Sequence, residues 1–176
     1  MELEDLNVLI EQSRSSAFRL ETLPQYLVPQ EAEEFAAWMA GETPPLLTPQ
    51  ESPWLAKVHA RAKAGYRRYR VHIVDYPLSD YNRFVIYGFQ ANAAAGEEIY
   101  LADRDAHVEL EPLREDFWLI DDACVVRMVY DDEGHFLRPE LVTPVQDYRR
   151  IRDVALRHAT PLHLYPSASA SPRLTA

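Results

Sequence analysis

The chain has 176 residues, of which 18 are lysine or arginine and 28 are aspartate or glutamate, so its formal net charge is −10. An apolar content of 47% excludes a disordered chain and supports one globular domain with a buried core. One cysteine excludes an internal disulfide or a cysteine zinc cluster, and no apolar run approaches the ~18 residues of a membrane span.

Patterns in the first 53 residues predict two helices and one extended segment. Apolar side chains recur at helical spacing over residues 2–13 and again over residues 29–39, where a proline suits the first helical turn. Between them, residues 18–23 alternate between apolar and polar side chains and stop at a proline, which is typical of a short extended segment or an edge strand. Four prolines in residues 41–53 predict a loop.

The middle of the chain predicts two capped helices around one strand. Ser52 is the expected N-cap of a helix that ends at Gly65, and Ser79 is the expected N-cap of a helix that ends before Gly96. Between these helices, residues 66–75 alternate strictly, which predicts a strand with apolar side chains on one face and basic ones on the other. The two sets are Tyr69, Val71 and Ile73, and Arg68, Arg70 and His72.

Strand patterns dominate the remainder of the chain. Alternation and β-branched or aromatic content predict strands over residues 97–103, 117–120, 124–130 and 135–142. A four-residue loop ending in a glycine joins the last two as a hairpin. A final helix is predicted to start at Thr143 and Pro144, with Gln146 in a capping box, and to reach about residue 158.

The order of these elements indicates the fold class. Helices gather early, strands gather late, and the late connections are short, which favours an antiparallel α+β fold over alternating βα units. We predict a single α+β domain over residues 1–165, with a mainly antiparallel sheet of about five strands packed by four to five helices. Residues 166–176 are expected to be a disordered tail.

The basic face of the strand in the middle of the chain is the strongest candidate for a ligand site. Arg68, Arg70 and His72 would emerge side by side, roughly 7 Å apart. Arg127 stands among apolar residues of a later strand, where a guanidinium needs a carboxylate or a ligand, and would join them if its strand pairs in the same sheet. Such a cluster favours a small anion such as a phosphate, a nucleotide or a carboxylate.

A solvated sheet face is the alternative interpretation of these basic residues. An acidic chain has carboxylates to spare, and exposed ion pairs are common. In that case the arginines pair with acids such as Glu98, Asp103 and Asp121, and no ligand is needed.

Three aspartates are the candidate acid or base residues of an enzyme. Asp80 starts a helix, where the helix dipole and Arg83 explain it without a function. Asp121 and Asp122 are adjacent and in a cleft would share a proton or bind a metal, but paired aspartates are also ordinary turn residues. No nucleotide-binding, hydrolase or metal-ligand motif is present, so neither a cofactor nor a metal is predicted, and Cys124 is interpreted as a small buried apolar residue.

Three segments carry a resemblance to a known family, namely residues 18–26 (FRLETLPQY), 76–81 (YPLSDY) and 116–122 (DFWLIDD). In this order they resemble an uncharacterised family of small acidic proteins from actinobacteria, a domain of unknown function, over about residues 18–165. The family assigns no catalytic or binding residue. Its genes are often found beside helix-turn-helix regulators, so the resemblance implies a regulatory or signalling setting.

These patterns favour a non-enzymatic regulatory or accessory protein that binds a protein partner, such as a helix-turn-helix regulator, or a small anionic ligand. The alternative is a small enzyme that acts on a phosphate- or nucleotide-containing substrate, and the sequence leaves open whether the protein is an enzyme. The acidic first residues do not resemble a signal peptide, so a cytoplasmic protein without a membrane partner is expected. Direct nucleic-acid binding is not expected, because the chain is acidic and aspartates interrupt the arginines of the last helix.

Overall fold

A computed structural model describes residues 1–165 as one sheet of seven strands with five α-helices. The fold is α+β, as predicted, with seven strands instead of about five. The predicted tail lies outside the described residues. In chain order the elements are α1 (Leu3–Gln12), β1 (Ser16–Glu21), α2 (Ala32–Met39), α3 (Pro53–Lys63), β2 (Arg67–Val74), α4 (Asp80–Ala95), β3 (Glu98–Asp103), β4 (Asp116–Ile120), β5 (Cys124–Tyr130), β6 (Phe136–Val142), α5 (Val145–Arg157) and β7 (Thr160–Pro161).

The sheet is mixed, with the strand order β6-β5-β4-β1-β2-β3-β7. Within residues 1–165, four of the six strand pairs are antiparallel, so the sheet is mainly antiparallel. The pairs β1–β2 and β2–β3 are parallel, and the chain crosses between them through α2 and α3 and then through α4. Parallel strands need such crossovers because they run in the same direction. The sequence patterns did not predict these two parallel pairs, which stand in a sheet that is otherwise antiparallel.

β1 differs most from its prediction as a short extended segment or an edge strand. It lies at the centre of the sheet, between β4 and β2, and Phe18 and Leu20 are fully buried. Arg19 and Glu21 alternate with these apolar residues on the opposite face, which helices cover. Apolar and polar side chains therefore alternate along β1 as they do in a half-exposed strand, although both faces of β1 are buried.

Helices cover both faces of the sheet. α5 packs on one face, where the ring of Tyr148 lies 5.0 Å from that of Phe117. α1, α3 and α4 cover the other face, with Leu6 of α1 and Ile86 of α4 buried against the strands. Because both faces of the central strands are covered, a polar side chain on these strands needs a partner within the protein.

The helix ends confirm the caps predicted for the middle of the chain. Ser52 and Ser79 each accept a hydrogen bond from the backbone N–H three residues on, at 3.3 and 3.0 Å. Gly96 ends α4 with a left-handed φ of +110°. The capping box predicted for the last helix is wrong, because Pro144 is the N-cap of α5 and no side chain caps that helix.

The same substitution at two glycines is expected to have opposite effects. Gly88 is exposed inside α4 with open space around its Cα, so Gly88→Ala raises the free energy of unfolding by about 0.5–1 kcal/mol. Gly134 has a φ of +93°, and a Cβ there would lie 2.5 Å from the carbonyl oxygen of Gln25, so Gly134→Ala lowers it by more than about 1 kcal/mol. Urea denaturation of both variants measures the two changes, and a loss of stability in Gly88→Ala would contradict the open helix surface.

Candidate functional site

β2 places Arg68, Arg70 and His72 on one face, as predicted, but that face is covered by helices instead of solvent. Only 12% of the Arg70 side chain is exposed, and His72 is fully buried. A charged group that is removed from water needs a partner within the protein, so the partners of these side chains decide what they can bind.

Arg70 has two carboxylate partners. Its Nε donates to Glu97 at 2.8 Å, and its Nη1 donates to Glu21 at 3.2 Å. Burial raises the pKa of Glu21, but Arg70, His72 and Arg19 outweigh burial and hold that pKa below its ordinary value. Burial also lowers the pKa of His72, whose Nδ1 lies 3.7 Å from Glu21.

A second set of contacts lies beside this pair, where β1 meets β4. Arg19 Nη2 donates to Asp116 Oδ2 at 2.9 Å, and the Tyr26 hydroxyl donates to the same oxygen at 2.6 Å. The backbone N–H and hydroxyl of Thr22 both donate to Asp116 Oδ1 at 2.8 Å. Burial raises the pKa of Asp116, and Arg19 and these donors oppose that rise.

Together these groups form a layer of alternating charge, which we call the buried ion network: Arg19, Glu21, Arg68, Arg70, Glu97 and Asp116. Three guanidinium groups face three carboxylates, so the formal charge of the network is zero. The partners expected for a solvated face, Glu98, Asp103 and Asp121, are not among them. The sequence interpretation missed Arg19 and Glu21, although the alternation over residues 18–23 was a signal that both lie on one face.

The structure does not bring Arg127 to this network. Arg127 is opposite Phe117 across the β4–β5 pair, and Phe117 belongs to the core on the α5 face. Arg127 therefore lies on the other side of the sheet from Arg70, because successive side chains of a strand point to opposite faces. There it donates to Glu115 and Glu140.

The three candidate acid or base residues are separated from one another. Asp80 begins α4, just beyond the end of β2, whereas Asp121 and Asp122 turn from β4 to β5 beside the start of β1. β1 and β2 are parallel, so these positions are at opposite ends of the sheet. Asp122 pairs with Arg149 and Arg152 of α5. The aspartates do not form a common acid–base site.

The carboxylate of Asp121 links the α1–β1 connection to the β4–β5 turn. It accepts backbone N–H groups of Arg14, Ser15 and Ser16 at 2.8, 2.7 and 3.0 Å. Burial raises the pKa of Asp121, but these donors outweigh burial and lower it to about 2. Its φ of +50° is left-handed, a conformation that aspartate tolerates. Asp121 therefore has a structural role.

A cavity of about 480 Å³ lies between α1 and α3 at one end of the buried ion network, and we call it the α1–α3 groove. Apolar side chains such as Leu6 of α1 and Met128 of β5 line it. Arg68 lies in its wall, with its guanidinium 4.7 Å from the ring centre of Trp54 and 4.9 Å from that of Trp118. Trp54 is 45% exposed, so the groove opens to the surface.

The other candidates from the sequence have ordinary environments. Cys124 is half-buried, and burial raises the pKa of its thiol, which disfavours the reactive thiolate. Arg149 and Arg152 of α5 pair with Asp122, and Arg150 pairs with Asp147, so three of the four arginines of this helix have carboxylate partners. Within residues 1–165, no group of three or more histidine, cysteine or acidic side chains is arranged to hold a metal ion, and no helix has the length and hydropathy of a membrane span.

Comparison with known proteins identifies one family. The model of a domain of unknown function, DUF6879, matches residues 4–167. No curated protein matches the chain. The match covers most of the chain and confirms the resemblance to a domain of unknown function.

Substitution of two neighbouring glutamates tests whether the carboxylates of the buried ion network compensate buried cations. The Glu97 side chain has no exposed surface and serves Arg70 and Arg68, whereas Glu98 is exposed and pairs with Arg67. We expect Glu97→Gln to lower the free energy of unfolding by about 3–5 kcal/mol, because it leaves buried cations uncompensated, and Glu98→Gln to lower it by less than about 1 kcal/mol. Urea denaturation compares them, and equal effects would contradict the burial of the network.

The role of Asp121 predicts a pH-dependent loss of stability. Asp121→Asn is expected to lower the free energy of unfolding at pH 7 by about 1–2 kcal/mol, because the carboxylate accepts several hydrogen bonds. The native pKa of about 2 is below the ordinary 3.8, so this contribution is complete above about pH 4 and is lost as the pH falls through 2. Urea denaturation of the wild type and the variant at pH 7 and pH 2 should therefore show the difference shrinking in acid.

Proposed function

The chain belongs to the family of the domain of unknown function DUF6879, and we propose that it is a non-enzymatic regulatory or accessory protein that binds a protein partner. The observation that carries this proposal is the α1–α3 groove. It is an apolar cavity with tryptophan walls, and it opens to the surface beside Trp54 and Leu3, which is 43% exposed. An exposed apolar patch with a polar rim is a mark of protein interaction sites.

Exposed apolar side chains also lie beyond the groove. Leu3 of α1 lines a second cavity, whose lining is mainly polar, with Leu137 and Leu141 of β6, and both of these leucines are exposed. β6 is an edge strand, and Pro139 interrupts its free edge, so addition of a strand from another chain is disfavoured there. Packing of side chains against α1 is the mode of contact that this surface favours.

The other two functions that the sequence suggests, binding of a small anion and catalysis, have less support. A small anion at Arg70 would have to compete with Glu21 and Glu97, which already pair with that guanidinium. An enzyme would need acid and base groups within hydrogen-bonding distance of one substrate, and Asp80 lies at the other end of the sheet from Asp121. Binding of a protein partner needs neither condition.

A helix-turn-helix regulator is the partner that we propose. The resemblance to small acidic actinobacterial proteins, whose genes often lie beside such regulators, supports this choice. An acidic protein of net charge −10 is suited to contact a DNA-binding protein, whose surface carries basic patches.

The test is binding of the full chain to the helix-turn-helix regulators encoded in the same genome, measured by titration calorimetry. We expect a complex that Trp54→Ala weakens by at least about tenfold, because an exposed tryptophan at the centre of an interface contributes a large share of the affinity. Val108→Ala is the matched control, because Val108 is exposed and apolar but lies on the α5 side of the sheet. Equal weakening by both variants would contradict the groove as the binding site. Absence of a complex would refute this choice of partner.

A further inference from the structure

We propose that the α1–α3 groove binds an apolar peptide segment of the partner through a carboxylate on that segment, with Arg68 as the residue that binds the carboxylate. This inference rests on the proposed function and adds the chemistry of the segment.

Arg68 is the member of the buried ion network whose guanidinium makes no hydrogen bond within residues 1–165, whereas Arg19 and Arg70 each donate to carboxylates. Its Nε is buried without a hydrogen-bond partner and lies 3.6 Å from Glu97 Oε1. That oxygen already accepts a hydrogen bond from Arg70 at 2.8 Å. Within residues 1–165 the guanidinium of Arg68 donates no hydrogen bond, although a guanidinium has five N–H donors. Glu97 therefore compensates the charge of Arg68 only in part, and the guanidinium N–H groups of Arg68 have no acceptor within the described residues.

The surroundings of this fork strengthen an interaction with a carboxylate. The rings of Trp54 and Trp118 flank the guanidinium, and Leu6 and Met128 line the same groove. Burial lowers the pKa of Arg68, and the charge of Glu97 opposes this effect. A carboxylate that replaces water here would form charge-assisted hydrogen bonds in a site of low polarity, where such bonds are strong.

The other cations of the groove already have partners. Arg61 donates from Nη1 to the carbonyl of Ile10 at 2.8 Å and from Nη2 to the carbonyl of Ser13 at 2.7 Å. Lys57 pairs with Glu11. Among the described residues that line the groove, Arg68 is thus the cation that is left to meet an incoming carboxylate.

The shape and charge of the site favour an apolar segment with one carboxylate over a polyanion. A volume of about 480 Å³ holds a few apolar side chains, and its walls are mainly aliphatic and aromatic. The chain as a whole carries −10, so a ligand with many negative charges is repelled by the rest of the surface. One carboxylate on an apolar segment matches both the walls and the single open guanidinium.

The test uses synthetic peptides and the full chain. The probe is a fluorescein-labelled pentapeptide of leucine and alanine with a free C-terminal carboxylate, and the comparisons are the same peptide with a C-terminal amide and an amidated peptide with one internal glutamate. Fluorescence anisotropy gives each affinity. We expect either carboxylate peptide to bind at least about tenfold more tightly than the amide, which is the effect of one charge-assisted hydrogen-bonded pair.

Three variants show whether Arg68 causes this preference. Arg68→Gln should bind the carboxylate and amide peptides equally, whereas Arg68→Lys should keep part of the preference because it retains the charge without the planar fork. Arg67→Gln is the matched control, since Arg67 is the preceding residue, exposed and paired with Glu98, and it should keep the full preference. If Arg68→Gln does not fold, the comparison of Arg68→Lys with Arg67→Gln supplies the same contrast.

The outcomes separate this inference from the proposed function. Equal binding of the carboxylate and amide peptides to the wild type would overturn the role of Arg68 and leave an apolar docking groove. A preference that survives Arg68→Gln would place the carboxylate elsewhere and also overturn it. Tighter binding of decanoate than of any peptide would assign the groove to a fatty acid and overturn the choice of a peptide. The calorimetric titration with the regulator tests the proposed function independently of these peptides.

Discussion

A layer of alternating charges between the sheet and its covering helices is the constraint on which the rest of the structure depends. The six side chains of the buried ion network come from β1, β2, β4 and the turn before β3. Their charges cancel only when these segments pair in one register, and a shift by one residue would move each charge to the other face. Buried ion pairs add little net stability by themselves, because desolvation offsets their attraction. Their consequence here is specificity, since alternative pairings of these central strands leave buried charges without partners.

The candidate site lies at the end of the buried ion network, where the carboxylates no longer fully compensate the charge of an arginine. Arg70 has two carboxylates within hydrogen-bonding distance, and Arg19 has one. Arg68, at the α1–α3 groove, shares a carboxylate that Arg70 already uses. The centre of the network is therefore closed to ligands, whereas its end at the groove retains donors. A cluster of basic residues in a sequence indicates a binding site only at the positions where the fold leaves their charge uncompensated.

Local patterns predicted the local structure of the chain and failed where distant segments meet. The alternation of β2, the caps of α3 and α4 and the hairpin turn at Gly134 each depend on a few adjacent residues, and each was found from them. The central position of β1 was missed because Arg19 and Glu21 gave it the polarity of an exposed strand. The face of Arg127 depends on the register of β5 with β4, which periodicity within one strand does not contain. The groove brings together α1, α3 and the sheet, so no single segment of the sequence encodes it.

The arrangement around Arg68 is that of a binding site rather than of a core selected for stability. In the free protein a guanidinium is largely removed from water without a full set of partners, and this lowers the stability of the fold. An apolar residue at this position would remove that cost, because Arg70 still compensates Glu97. The two tryptophan rings instead hold the guanidinium in place, so little side-chain entropy remains to be lost when a carboxylate binds. Functional sites often lower the stability of the free protein, and binding of the ligand compensates for that loss. In this protein such a site lies where the apolar groove opens to the surface.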